Sequence, residues 1–377
     1  MKTFSAIELF VQNNSNYLEF IKRKIMYRWV FLVNPKLRKC YNKSQTASNS
    51  VEKNLFCTQA LNAYHEMFVW RFAVWFRFAF QDFKLFWRQL GRRKTIDKSS
   101  KEKQDYYSIA VIVKNEATYI REFILFYQVT GADRIYLYDN DSDDNLLEVI
   151  EPFVNSGYVV YRKWPGKKVH TAAYRDAVRR TRKRTKWLAL VDADEFLFSP
   201  KGKTPEQLQN YEEFPGLGVN WVMFGPNGHK VRPTGLVMDN YLTTPEDKDV
   251  QANCHTKSIV QPKEVFCICH VHFALYKNGR YAVDTCKNPI DNFCAYIERA
   301  GRVFTPKNYR DVLRINHYNT KSLEEFRVKM ARGYADGSPN ADYNKKMRVY
   351  EVPLVEDYEI KPFANFVREQ INERSCK

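Results

Sequence analysis

Two carboxylates two residues apart, Asp192 and Asp194, close an apolar run in the segment LALVDADEF. At a strand end this spacing lets both acids share one hard divalent cation while the small residue between them turns away. Mg2+ or Mn2+ held there would bridge the acids to phosphate oxygens of a substrate. Glu195 follows directly, either supporting those acids or serving as plain strand-end structure. Polar residues gather at comparable places elsewhere. Lys114, Asn115 and Glu116 close the run SIAVIV, and Asp139 and Asn140 close RIYLY. Turn chemistry alone favours Gly and Asn. Repeated acids at such ends imply a site.

The elements that must carry these residues are legible from periodicity. Residues 108–113 are short, apolar and β-branched, which predicts a buried parallel strand. Residues 118–129 have helical spacing, with Ile120, Phe123, Ile124 and Tyr127 on one face, and Gly131 ends the helix. Strands are expected at 134–138, 159–162 and 187–191, and helices at 146–154 and 171–184. This alternation predicts an α/β fold with a doubly wound, mostly parallel sheet. In such folds ligands bind outside the carboxyl ends of the strands, where the acids above are placed.

The motifs VIVKNEATYIREFILFYQVTGADRIYLYDNDSDDN, VVYRKWPG, AAYRDAVRRTRKRTKWLALVDADEF and INHYNTKSLEEFRVKMARG succeed one another in order. Together they resemble glycosyltransferase family 92 and the related family 2 enzymes over roughly residues 106–335. The resemblance implies a GT-A (Rossmann-like) fold, a mostly parallel sheet flanked by helices. It also implies transfer of a sugar from a nucleotide-sugar donor, with a UDP-sugar expected, to a glycan or lipid-linked glycan hydroxyl, with inversion. Lys114, Asn115, Glu116, Asp139 and Asn140 match positions that cradle the nucleotide. Asp176 and Lys321 join them as donor-binding candidates. Asp192 and Asp194 match the DxD pair that holds the metal, Mn2+ or Mg2+, and the donor diphosphate. The metal offsets charge developing on the leaving group. His317 resembles a late histidine that completes such metal sites, and His272 is its rival.

Residues beyond Pro200 are expected to shape the acceptor side, with Trp221, Phe224 and Asn227 as acceptor-binding candidates. An inverting displacement needs a base at the acceptor hydroxyl. His229, Asp239 and Asp284 are the candidates, and no spacing separates them. Ser322 and Glu325 have the spacing of a capping box. Lys321, beside that positive helix end, is placed to meet a phosphate. The segment VFCICHVHF reads as a strand with Cys267 and Cys269 on one face and His270 and His272 on the other. Without a CxxC spacing, packed thiols are expected there rather than zinc. Eight cysteines with no regular framework, and no evident signal peptide, point to reduced thiols and a cytoplasmic setting.

The formal net charge is +17 and aromatic residues make up 15% of the chain. An apolar share of 44% against 27% charged excludes wholesale disorder. The first 104 residues carry +13 of the charge and the remaining 273 only +4. Three parts follow: a basic, aromatic, α-helical arm and linker (1–104), a GT-A domain (105–340, with nucleotide and acceptor halves meeting near residue 200), and a C-terminal extension (341–377). Within the arm, residues 64–90 (YHEMFVWRFAVWFRFAFQDFKLFWRQL) are too frequently charged to span a bilayer. On a helix, Trp75, Phe76, Phe80, Phe83, Phe86, Trp87 and Leu90 share an arc flanked by Arg77, Lys84 and Arg88. That pattern fits a membrane interface, with core packing as the plainer alternative. Arg92, Arg93 and Lys94 would meet anionic headgroups at about 1 kcal/mol each. Residues 20–33 are similar in character, and 94–105 look like a linker. The expected location is therefore peripheral, at the cytoplasmic face of a membrane. A nucleotidyltransferase on a similar fold and a nucleic-acid-binding protein are the rival functions. The arm's aromatics, grouped on one face, argue against nucleic acid.

Overall fold

A computed structural model of the chain describes residues 68–100, 104–290, 304–332 and 343–375. The aromatic segment at 20–33 lies outside the described residues. Helix α1 (Phe68–Arg88) comes first, followed by β1 (Thr95–Ile96), β2 (Asp105–Val113), α2 (Ala117–Val129) and β3 (Arg134–Asp139). Next are α3 (Leu146–Asn155), β4 (Val159–Lys163), α4 (His170–Thr181), β5 (Thr185–Leu190) and β6 (Glu195–Phe198). Then come β7 (Gly216–Met223), β8 (Thr243–Pro245), β9 (Thr256–Val260), β10 (Val265–Ile268), β11 (Ala274–Tyr276) and β12 (Arg314–His317). Helix α5 (Leu323–Arg332), β13 (Leu354–Glu356) and α6 (Lys361–Ser375) complete the order.

Nine strands form one sheet in the order β1-β4-β3-β2-β5-β9-β7-β12-β6. Strands β4, β3, β2 and β5 run parallel. Strand β9 lies antiparallel between β5 and β7, and β12 runs parallel to β7. Strands β5, β7 and β12 therefore all end at the same sheet edge. Alternation along β2 splits the core into two layers, because successive side chains point to opposite faces. Ile109, Val111 and Val113 pack with Phe123, Ile124 and Tyr127 of α2 and Ile150 of α3. Ala110 and Ile112 pack with Ala173, Tyr174 and Ala177 of α4. The fold is thus the expected α/β arrangement, a large, mostly parallel sheet flanked by helices.

Several expectations are corrected by long-range packing. Residues 94–105 are more than a linker: Thr95 and Ile96 pair with Arg162 and Tyr161 as the edge strand of the sheet. The helix expected to reach residue 184 ends at Thr181. The strand expected at 265–273 ends at Ile268, and β11 folds back antiparallel on it. His270 and His272 therefore lie in the connection, outside any strand alternation. The C-terminal segment shares the main core, with Ile360, Ala364 and Val367 buried in it.

Candidate active site

The residues 191–194 join β5 to β6 at the carboxyl edge of the sheet. Backbone and side chains lock this loop. The Asp192 amide donates to Glu195 Oε2 at 2.9 Å, and the Glu195 amide donates to the Asp192 carbonyl at 3.1 Å. Tyr174 of α4 donates its hydroxyl to the Val191 carbonyl at 2.8 Å and reaches Asp192 Oδ1 at 3.2 Å. His170, the first residue of α4, brings Nε2 to 3.1 Å from the same oxygen. Lys257 of β9 stands 3.0 Å from Asp192 Oδ1 and 3.6 Å from Glu195 Oε2. It is 1% exposed and Glu195 is 0% exposed, so those two are buried together, while Asp192 keeps 32% of its side chain exposed. On the other side, Lys329 of α5 holds Asp194 Oδ2 at 2.5 Å and the Asn319 carbonyl at 3.0 Å. His317, the last residue of β12, places Nε2 3.6 Å from Asp194 Oδ1.

These neighbours separate the three acids chemically. Burial alone pushes every carboxyl up. For Asp192, Lys257 and His170 outweigh burial and hold it well below the usual range. For Asp194, Lys329 and His317 do the same. Glu195 goes the other way. Burial, with Asp192 and Asp194 adding to it, pushes its carboxyl well up despite Lys257. Burial also lowers His317 and His272; Asp194 opposes it at His317, and Lys257 reinforces it at His272, which stays neutral. His272 Nδ1 lies 2.9 Å from the Thr256 carbonyl, so that nitrogen carries the proton and Nε2 is left as acceptor.

Trp221 of β7 sits among three imidazoles. Its ring centroid is 4.3 Å from His317, 5.0 Å from His255 and 5.2 Å from His272. Two carboxylates and an imidazole are a donor set that Mn2+ or Mg2+ accepts. Among the described residues no three His, Cys, Asp or Glu side chains are grouped tightly enough to enclose a metal ion. An open set suits these cations, which keep positions for water and substrate phosphates. By donor type Asp192, Asp194 and His317 are candidates for such an ion, while in this structure Lys257 and Lys329 meet the two acids.

Most expected donor residues lie along the same edge, where many of them shape loops. Lys114 is half-buried at the end of β2. Asn115 has φ 56°. Its amide donates to Ser142 Oγ and its Oδ1 accepts from the Asp143 amide, both at 3.0 Å, tying the ends of β2 and β3 together. Glu116 lies 3.5 Å from Lys321, whose ammonium rests 3.6 Å above the Tyr119 ring. The capping box beside it is present: the Glu325 amide donates to Ser322 Oγ at 3.3 Å, and the Ser322 amide to Glu325 Oε2 at 3.1 Å. Asp139 accepts from Tyr161 and from the Ser142 amide, each at 2.8 Å. Asn140 donates to the carbonyls of Trp164 and Gly166. Asp176 is buried against Arg162, Arg179, Arg180 and the Tyr138 hydroxyl.

The acceptor-side candidates divide. Phe224 is 0% exposed and packs on Tyr318 at 5.1 Å, so it belongs to the core beneath the edge. Asn227, with φ 51°, forms the turn after β7. His229 anchors α5 by accepting the Leu323 amide at its carbonyl, and its ring faces Tyr241. Asp239 is paired with Arg368 of α6 at 2.6 Å. Asp284 accepts from the amides of Cys286 and Asn288. It follows Val283, which bonds to Gly216 at the end of β7 remote from Trp221. The structure also brings in Lys257, His170, Tyr174 and His255, which sequence reasoning did not select. The one available signal was Lys257, a lone cation in the otherwise uncharged strand TKSIV.

A family profile for glycosyltransferase family 92 matches residues 106–329. The chain belongs to glycosyltransferase family 92. Within it, a family 92 protein of Oryza sativa subsp. japonica is 31% identical over 185 residues, covering 46% of this chain and 30% of that protein. A Ricinus communis member is 27% identical over 224 residues, covering 56% and 39%. The chain thus spans 30–39% of the length of these curated relatives. Among solved structures, S. aureus TarS in complex with UDP aligns with a TM-score of 0.28 and 15% identity over 42% of this chain and 47% of that one. A mannosyltransferase from Pyrobaculum calidifontis, in complex with GDP-Man and Mn2+, aligns with a TM-score of 0.25 and 14% identity over 43% and 46%.

Proposed function

We propose that this family 92 chain transfers a sugar from a nucleoside diphosphate donor, a UDP-sugar, to a hydroxyl of a glycan or lipid-linked glycan. The observation that carries the reading is the pair of ionised acids, Asp192 and Asp194, at the carboxyl edge of the sheet, each matched by a buried or half-buried lysine. In this reading Asp192, Asp194 and His317 hold Mn2+ or Mg2+, which supplies charge stabilisation to the leaving diphosphate. Lys329 and Lys321 add fixed positive charge on the same side, where an oxyanion develops. Lys257 and His170 keep Asp192 ionised and oriented. Trp221 offers an aromatic face for a sugar ring. His272 Nε2, unprotonated beside Trp221, is a group able to accept the proton of the attacking hydroxyl.

The test incubates the full chain with UDP-glucose, UDP-galactose, UDP-N-acetylglucosamine and GDP-mannose, with and without Mn2+, and measures nucleoside diphosphate release. Release of UDP that rises with Mn2+ and vanishes in Asp194→Ala supports the reading. Release of pyrophosphate instead favours the nucleotidyltransferase. Turnover of none of the donors overturns the proposal.

A further inference from the structure

Helix α1 meets the catalytic domain through the side that sequence periodicity marks as polar. Phe78 and Gln89 are buried and Asp82 and Leu85 half-buried, at the i, i+4, i+7, i+11 spacing of one helix face. Asp82 makes a paired contact with Arg175 of α4, at 3.0 and 2.6 Å. Gln89 donates to the Pro165 carbonyl, and the Arg93 guanidinium lies 4.2 Å from the Trp164 ring centroid. The opposite face is apolar and points outward. Phe80, Phe83, Trp87 and Leu90 are 47–57% exposed. At 100° per residue they sit diametrically across from Phe78, Asp82, Leu85 and Gln89. Among the described residues, the aromatic arc is not what packs on the domain.

Basic residues lie beside the exposed rings. Arg77, Lys84, Arg88 and Arg92 are all exposed. Lys84 rests 4.3 Å from the Phe80 ring centroid, its charge at the level of the aromatic stripe. Beneath the other flank a cleft of about 500 Å3 opens between α1, α4 and β10. Four arginines, Arg93, Arg175, Arg179 and Arg182, and only two aspartates line it. An apolar stripe edged by cations complements one kind of partner, the interface of a bilayer bearing anionic headgroups. No helix among the described residues is long and apolar enough to cross a membrane.

We propose that the outer face of α1 is a docking surface for an anionic phospholipid bilayer. Phe80, Phe83, Trp87 and Leu90 enter the interface, and Arg77, Lys84 and Arg88 meet lipid phosphates. Because Asp82, Gln89 and Arg93 fix α1 to the domain, the bilayer meets the enzyme in one orientation. This surface is independent of donor chemistry, so its test separates from that of the enzymatic reading.

The experiment co-sediments the full chain with phosphatidylcholine vesicles, with and without about 30% phosphatidylglycerol, and compares Phe83→Ser/Trp87→Ser and Lys84→Glu/Arg88→Glu with the parent. Quenching by brominated lipid is read in the parent and in Trp87→Phe. The expected result is binding that needs phosphatidylglycerol, falls at least tenfold in the serine variant, and falls about fivefold per reversed charge or more. Trp87→Phe should lose most of the quenching while keeping the binding. Unchanged melting temperatures confirm that the variants fold. The proposal is overturned if the parent ignores phosphatidylglycerol vesicles or if the serine variant binds as the parent does. It is equally overturned if the parent forms a lipid-free dimer that the serine variant abolishes, which would make the face a contact between copies.

Discussion

At the sheet edge charges are buried and rings surround them, whereas along α1 rings are exposed and charges stand beside them. Tyr174 meets Asp192 and Lys257, and Trp221 packs on His317, which stands beside Asp194. Along α1, Phe83 and Trp87 face outward while Asp82 is turned in to Arg175. Both regions mix aromatic and ionic residues, so the presence of both kinds does not separate them. What separates them is the length of chain that supplies the partners. The edge draws its cations from β9 and α5, far along the sequence. The helix draws its basic flank from its own turns. A buried charge needs several elements to converge on it, and an interfacial helix needs only its own periodicity.

Four changes would break or sharpen this contrast. The largest effect is expected from Asp194→Ala, which removes the acid shared by Lys329 and His317. Donor turnover should fall about 10^3-fold, measured as UDP release, with vesicle binding unchanged. Next, Lys257→Met leaves Asp192 without its buried counter-ion. A loss of about 3–5 kcal/mol is expected for breaking such a pair, read by urea unfolding. If stability is unchanged, the edge is not held by matched charges.

The third concerns Glu122 of α2, which accepts from the amides of Val237 and Met238 at 2.9 and 3.0 Å. Burial pushes its carboxyl up to about 7, with Lys321 opposing and Asp239 adding to the rise. A raised folded value favours the protonated form. Its stabilisation is full below about 4.5, the unfolded value, and is lost as pH rises through about 7. The parent should lose about 3 kcal/mol of this contribution across that window, and the melting temperatures of Glu122→Gln should be flatter over the same range. Last, Arg175→Ala removes a paired contact from Asp82 at the α1 junction. A cost of about 1–2 kcal/mol is expected, seen as faster amide exchange along α1 with donor turnover retained.

The parallel half of the fold was legible because its strands are local runs. SIAVIV, RIYLY and WLALV fall within β2, β3 and β5 or one residue beyond, and the helices between them differ mainly at their ends. The second half was not, because β6, β9 and β12 are four or five residues each and are defined by whom they pair with. Lys257 shows the cost: nothing in TKSIV states that Asp192 lies opposite. His317 was identified by resemblance, and the structure puts it beside Asp194. Phe224 was an acceptor-side candidate, and its side chain packs in the core on Tyr318. Along α1 the face across from the aromatic arc is the one that packs on the domain, because Asp82 finds its partner on α4.

The pairing of Glu195 with His317 in the β6–β12 ladder has a consequence for how the protein is made. Lys329 and Asp194 are 135 residues apart in sequence. Closing so long a loop costs entropy before any contact repays it, which slows the step. The parallel half, whose contacts are shorter in range, has no such wait. During synthesis the two aspartates therefore emerge well before Lys257 or Lys329 leaves the ribosome. A chain truncated ahead of residue 329 keeps Asp194 without its ammonium.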